Sequence, residues 1–215
     1  MSVRVDISGQ GPPLVLTHGF GGSRHTWDTV VPLLAEHFTV VVWDLPGHGD
    51  SPDVGEGNYS RELALSELAG VIERVGAPAV LVGHSLGGYL SMAHAIDQPE
   101  SVEALVLVST GPGFRKPVGR EKWNSLVAKA EVGFSVSKGS SGMVAQHDSR
   151  VIDGLSSIVA PTLLIVGEHD RRFHDAHAML AEKLVARSLV IEEAGHQIQE
   201  THGPDVAAAV SAFLA

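Results

Sequence analysis

The sequence contains no cysteine. That excludes disulfides, thiolate metal sites and a cysteine nucleophile, and it fits a reducing compartment. Basic residues are also scarce: 15 Lys and Arg stand against 25 Asp and Glu, for a net charge of −10. With no basic stripe to neutralise phosphates, nucleic acid and anionic membranes are poor partners. No apolar run approaches the ~18 residues that a membrane span requires. The opening stretch, "MSVRVDISGQGPPLVLTHG", has no basic segment followed by a long apolar one. It alternates from the start and reads as a strand, not a leader. A soluble cytoplasmic protein is the expectation. What the chain does have is 44% hydrophobic residues in 215 positions. That is enough for the core of one compact domain without added staples.

Short runs rich in Val, Leu and Ile recur: "LVLTH" at 14–18, "TVVVWDL" at 39–45, "AVLVGH" at 79–84, "ALVLVST" at 104–110, "PTLLIVGE" at 161–168 and "SLVIEEAG" at 188–195. They are continuous rather than alternating, as expected of strands covered on both faces. Helical patterns lie between them, over 26–37, from an N-cap at Ser60 to Gly76, from Ser85 onward, over 176–185, and over 203–215 with Pro204 in the first turn. Such alternation predicts an α/β fold, a mostly parallel sheet with helices on both faces. Ligands in such sheets sit at the carboxyl ends of the strands. Residues 111–160 break the pattern. They hold two helix-like pieces, "REKWNSLVAKAE" and "HDSRVIDGLSSI", and Lys138–Gly142, which is a flexible connector by composition. The expected organisation is a core of residues 1–110 and 161–215 with 111–160 as a short helical lid.

Gly83-His84-Ser85-Leu86-Gly87 fits G-x-S-x-G between a strand and a helix. On so sharp a turn, side chains two positions either side of the serine would collide with the neighbouring strand or helix, which explains the glycines. A glycine-rich turn with an incidental serine is the bland alternative. A serine hydroxyl is a weak nucleophile until a base removes its proton. The base should be a loop histidine oriented by a carboxylate, in the chain order serine, acid, histidine. "LLIVGEHD" ends a strand at Asp170, and "LVIEEAGHQIQE" places His196 past the last one. Asp170 is assigned as the acid and His196 as the base. Glu168 competes for the acid role but lies closer to the strand, where it would brace the loop. The developing oxyanion needs two backbone N–H donors, assigned to Leu86, which follows the serine, and Phe20, in the glycine-rich loop "THGFGG". That loop has neither G-K-[ST] nor G-x-G-x-x-G, so a phosphate loop is disfavoured.

His18–Gly22, "DLPGHGDS" at 44–51, "GHSLGG" at 83–88, "GEHD" at 167–170 and "AGH" at 194–196 together resemble the α/β-hydrolase superfamily, in its esterase-like branch with a serine nucleophile. The resemblance covers nearly the whole chain apart from 111–160. It implies a carboxylic ester hydrolase working through an acyl-enzyme, and a structural loop at Asp44–Ser51 beside the site. The serine argues against epoxide hydrolases and haloalkane dehalogenases, which carry aspartate at that position. Relatives usually have a larger cap, so a reduced, mobile lid over an open site is expected, with broad activity on small or short-chain esters. No cofactor is implied, and the expected partner is a small-molecule ester. Nothing in the pattern specifies an oligomeric state.

Phe20, Phe114 and Trp123 are candidates for the substrate-binding wall, and Phe134 for either that wall or a small core of the lid itself. His169, His174 and His177 form a dense cluster in "HDRRFHDAH", but a metal site there is disfavoured because they lie on a loop and an exposed helix start. His84 is expected to pack, and His18 to shape the oxyanion loop by hydrogen bonding. Two rivals stay open: a C–C bond hydrolase or hydroxynitrile lyase using the same three residues, and a binding module without turnover.

Overall fold

The apolar runs become the strands of one sheet. In the computed structural model, which describes residues 3–215, these are β1 (Val5–Ser8), β2 (Pro13–Thr17), β3 (Thr39–Trp43), β4 (Ala79–His84), β5 (Val102–Val108), β6 (Thr162–Gly167) and β7 (Arg187–Ile191). Their order is β1-β3-β2-β4-β5-β6-β7. Every pair is parallel except β1 with β3. Successive side chains of a strand point to opposite faces, and both faces are buried here. Leu81, Leu105, Leu107 and Leu164 enter one core, while Val80, Val82, Val106 and Ile165 enter the other. This is why the runs are apolar without alternation. Each fully buried Leu or Ile contributes roughly 2–3 kcal/mol relative to exposure.

Among the described residues eight α-helices follow in chain order: α1 (Val31–Leu34), α2 (Arg61–Val75), α3 (Leu86–Asp97), α4 (Pro117–Ala130), α5 (Arg150–Gly154), α6 (Arg171–Lys183), α7 (Ile198–Thr201) and α8 (Gly203–Leu214). Helix α2 begins as its sequence suggests, with the Ser60 hydroxyl accepting from the Leu63 N–H at 3.1 Å. Residues from α2, α3 and α6 pack in the first core, and those from α1, α7 and α8 in the second. No helix among the described residues is long and apolar enough to cross a membrane.

Four boundaries differ from the sequence reading. The single helix expected over 26–37 is a 3₁₀ turn at Arg24–Trp27 followed by the one-turn α1. Pro32 has no N–H to donate four residues back, so a continuous helix would lose a bond there. Helix α6 starts at Arg171 rather than 176, because its first turn is polar and hides the apolar period. The last strand stops at Ile191, and Glu193 turns the chain at φ 56°. Lys138–Gly142 is not a loose connector. Ser140–Met143 form a 3₁₀ turn with Ser140 and Met143 buried, and Gly142 lies against the Tyr59 carbonyl, where a Cβ would come within 2.3 Å.

The 111–160 segment contains helices and turns but no strand. It is tied to itself and to α2 by polar contacts, and Val127, Met143, Val144, Val151 and Leu155 pack into the first core. Trp123 Nε1 donates to the Val144 carbonyl, and Asn124 exchanges two hydrogen bonds with the Gln146 backbone. Arg61 of α2 grips Asp148 through both guanidinium nitrogens at 2.8 and 2.7 Å. The Glu131 carboxylate accepts from the hydroxyls of Ser140 and Ser141.

Candidate active site

Three loops at the carboxyl ends of β2, β4 and β6, and the chain after β7, meet above the centre of the sheet. The β4–α3 turn puts Ser85 at φ 50°, ψ −112°, a strained conformation for a non-glycine residue. The surrounding structure holds it there. Ser85 N–H donates to the Val108 carbonyl at 2.9 Å, and Thr110 Oγ1 donates to the Ser85 carbonyl at 2.6 Å. The flanking glycines are sterically required. A Cβ on Gly83 would fall 2.4 Å from Gly87, and one on Gly87 would fall 2.1 Å from the Thr17 carbonyl oxygen of β2.

Asp170 and His196 converge as their positions past β6 and β7 suggested. His196 Nδ1 donates to Asp170 Oδ2 at 2.8 Å. Asp170 is almost wholly buried. Burial alone would raise its pKa, but the hydrogen bond and charge of His196 outweigh it and hold the carboxyl below its ordinary value. The imidazole of His196 lies between two rings, stacked on Phe173 at 4.8 Å and tilted against His84 at 4.8 Å. Ser85 and His196 line the same cavities. Among the described residues no hydrogen bond joins Ser85 Oγ to the imidazole. Such contacts are commonly long without substrate and tighten when it binds.

The neighbouring histidines brace the site. His84 is buried, and its Nε2–H donates to the His196 carbonyl at 2.9 Å. Burial first, and then the nearby His196, push its pKa down to about 3, so it stays neutral. His18 Nδ1–H donates to the Gly19 carbonyl at 2.7 Å, and its Nε2 accepts from the Leu45 N–H at 3.0 Å. Those two bonds define its tautomer and shape the Phe20 loop. Burial, with a smaller contribution from His48, lowers its pKa to about 3 as well. The loop lies directly against the serine: a Cβ on Gly19 would sit 3.1 Å from Ser85 Cβ. Phe20 and Leu86 border the cavity beside Ser85, Leu86 being the first residue of α3, where an N–H has no helical partner. The Asp44–Ser51 loop is pinned beneath. Arg24, nearly buried, reaches Asp6, Asp44 and Asp50 together.

The main cavity has a volume of about 580 Å³, within the usual range for small-ligand sites. Phe20, Phe114 and Trp123 all line it, and Phe134 closes against Phe20 edge-on at 5.6 Å. Sequence reasoning missed Tyr89, Gln146, Arg172, Phe173 and Met179, which also line it. Only Phe173 and Arg172 had a signal, their closeness in sequence to Asp170. Glu168 is exposed and accepts from the Glu193 N–H at 3.0 Å, bracing the loop. His169, His174 and His177 do not converge: His174 donates to the Gly167 carbonyl, and His177 bonds Ser188 Oγ. Glu168, His169 and Glu193 bring ligand-type atoms within 4.8 Å of one another, but all three are exposed.

The family model described as alpha/beta hydrolase fold matches residues 12–128, more than half of the chain. The chain belongs to that family. A pimeloyl-[acyl-carrier protein] methyl ester esterase of Aeromonas hydrophila is 38% identical over 135 residues, covering 63% of this chain and 51% of the relative. The chain thus spans about half the length of that hydrolase-fold relative. A protein of the same description from Xanthomonas campestris is 28% identical, with 99% of each chain covered. Among solved structures, a thermophilic esterase from Thermogutta terrifontis superposes with a TM-score of 0.86 at 24% identity, over 99% of this chain and 92% of the esterase. A bromoperoxidase from Bacillus anthracis gives 0.83 at 21% identity, over 99% and 95%. These two likenesses show the fold.

Proposed function

We propose that the chain is a serine hydrolase of small or short-chain carboxylic esters. The observation that carries this reading is the strained Ser85 facing one cavity with an imidazole that Asp170 orients at 2.8 Å. In this reading Ser85 Oγ attacks the ester carbonyl while His196 takes its proton. The ionised Asp170 holds the imidazole's tautomer and steadies its positive charge. The N–H groups of Phe20 and Leu86 receive the oxyanion. The alkoxide leaves as the alcohol with the proton from His196. Water, deprotonated by His196, then releases the acid and restores Ser85. The methyl ester named in the relatives' descriptions supports a small alcohol, and the apolar walls at Phe114, Leu126 and Met179 suit an acyl chain. The 111–160 segment acts as the lid that excludes water.

Mass spectrometry after fluorophosphonate treatment tests this directly. One adduct on Ser85 is expected, and none on the Ser85→Ala protein. That variant should retain its circular dichroism spectrum and lose about four to six powers of ten in turnover of nitrophenyl esters. More than a tenth of wild-type turnover in the variant would remove Ser85 from the role of nucleophile. A chain-length series refines the substrate, and a preference for long chains by several orders of magnitude would overturn the short-chain assignment.

A further inference from the structure

Beside Ser85, on the His196 side, a second cavity of about 420 Å³ adjoins the main one. Its walls are of a different kind. Arg171 and Arg172 line it together with His169, Phe173 and Trp123, and Arg172 lines the main cavity as well. Several arginines elsewhere in the chain meet acids: Arg24 three aspartates, Arg61 Glu62 and Asp148, Arg115 Asp153, and Arg150 Asp97, while Arg120 bonds backbone carbonyls and Arg187 lies over the Phe213 ring. The side chains of Arg171 and Arg172, both exposed, have no hydrogen bond or ion pair among the described residues, although the chain carries a net charge of −10. The nearest acids do not take them. Asp170 is engaged by His196. Asp175, which borders the main cavity, forms no ion pair among the described residues. Local helix stability gives no reason for two cations here, since the first turn of a helix disfavours positive charge.

We infer that Arg171 and Arg172 form a cationic arm of the cavity that binds an oxyanionic group, a carboxylate or a phosphate, carried by the ester substrate. A guanidinium presents a planar fork of donors matched to either group. Arg172, which borders both cavities, is the principal contact. The acyl portion of the substrate is then two-ended, with the ester carbonyl at Ser85, its apolar stretch in the cavity that Arg172 shares with Phe114 and Met179, and its charged end at Arg172. This inference rests on the ester-hydrolase reading and adds to it the class of substrate.

The test compares three methyl esters of matched length, ending in a methyl group, a carboxylate or a phosphate. In the wild type, kcat/KM for at least one charged ester should exceed that for the methyl-ended ester by about tenfold or more. The better of the two charged esters names the anion. The ratio should fall by about tenfold in Arg172→Ala, mainly through KM, and approach one in the Arg171→Ala/Arg172→Ala protein. Arg172→Lys should keep part of it, and added salt should shrink it. A ratio near one in the wild type, or one that the double substitution leaves in place, overturns the inference. Calorimetric titration of the Ser85→Ala protein with the matching dicarboxylate and phosphonocarboxylate reads the same arm without turnover. Affinity lost in the background of the double substitution is expected, and affinity that is absent or unaltered overturns it. Turnover of the neutral ester with Ser85 labelled but a flat ratio removes only the cationic arm. Failure of all three esters together with no label on Ser85 removes the hydrolase reading itself.

Discussion

The sheet's carboxyl edge and the 111–160 segment both enclose the same cavity, but the balance of steric and polar contacts differs between them. At the sheet edge backbones touch: Gly83, Gly87 and Gly88 leave no room for a Cβ against neighbouring backbone or side-chain atoms. The side chains behind them are fully buried and apolar. The segment sends Val127, Met143, Val144, Val151 and Leu155 into the first core and is otherwise held by polar contacts at Trp123, Asn124, Glu131 and Asp148. It leaves Val118, Leu126 and Val132 exposed, the last at 90%. Steric interlock has no competitor in water, whereas each polar contact exchanges with one and nets only about 0.5–1.5 kcal/mol. A rigid floor and a roof that opens at lower cost are expected.

Paired glycine substitutions should break this comparison most sharply. Gly87→Ala drives a Cβ into the Thr17 and His18 carbonyls at 2.1 and 2.9 Å, both of them backbone. A loss of about 3–5 kcal/mol, or failure to fold, is expected. Gly133, in the segment, has no atom within 4 Å of its would-be Cβ and no positive φ. Gly133→Ala should be neutral or stabilising by up to about 1 kcal/mol. Urea unfolding measures both, and similar effects at the two positions would erase the distinction.

Acid should separate the two regions next. His18 and His84 at the sheet edge have pKa values lowered from 6.5 to about 3, mainly by burial. Between those values the unfolded chain takes up protons that the folded chain refuses, so stability falls as pH drops below 6.5. The slope is about 1.4 kcal/mol per pH unit for each histidine, or roughly 2 kcal/mol each at pH 5. The anchor of the segment behaves otherwise. The hydrogen bond from Arg61 leads the lowering of the Asp148 pKa from 3.8 to about 2. Its contribution is complete above about pH 4 and fades only toward pH 2. Denaturant midpoints between pH 7 and 4 should therefore fall with the sheet while the anchor stays ionised. His84→Gln retains a donor for the His196 carbonyl and should flatten the slope. A wild-type midpoint that is level from pH 7 to 5 would contradict the burial of these histidines.

The same division explains what was legible in the sequence. Strands buried on both faces are written as unbroken Val, Leu and Ile, and β4 at Ala79–His84 was read to the residue. The motifs at Ser85, Asp170 and His196 were legible because each sits where a strand ends, which brings Asp170 and His196 to 2.8 Å. The segment was read poorly because composition reports mobility only when nothing packs on the residues. Gly139-Ser140-Ser141-Gly142 looks like a linker, yet Ser140 is buried and its hydroxyl meets Glu131. The cationic wall was invisible for a related reason. Arg171 and Arg172 precede the helix expected from 176, and only the folded chain sets them, still exposed, beside Ser85.

The smallest effect, and the most selective, is expected at Arg61. It is 9% exposed and joins α2 to the segment through Asp148, with Nη1 also 3.3 Å from the Tyr89 hydroxyl. Asp148 is 44% exposed, so solvent screens much of the pairing. Arg61→Ala should weaken the docking of the segment by about 1–2 kcal/mol. Arg61→Lys should recover only part, because a point charge cannot replace the two-pronged grip. The effect should be local. Limited proteolysis should cut 111–160 faster, while the unfolding midpoint of the sheet moves little. Since Tyr89 lines the main cavity, KM for esters should rise more than kcat falls. The gap between wild type and Arg61→Ala should narrow from pH 4 toward 2, as Asp148 takes up its proton. Were Arg61→Ala instead to unfold the whole chain at once, the segment would belong to the same cooperative unit as the sheet, and the roof would open no more easily than the floor.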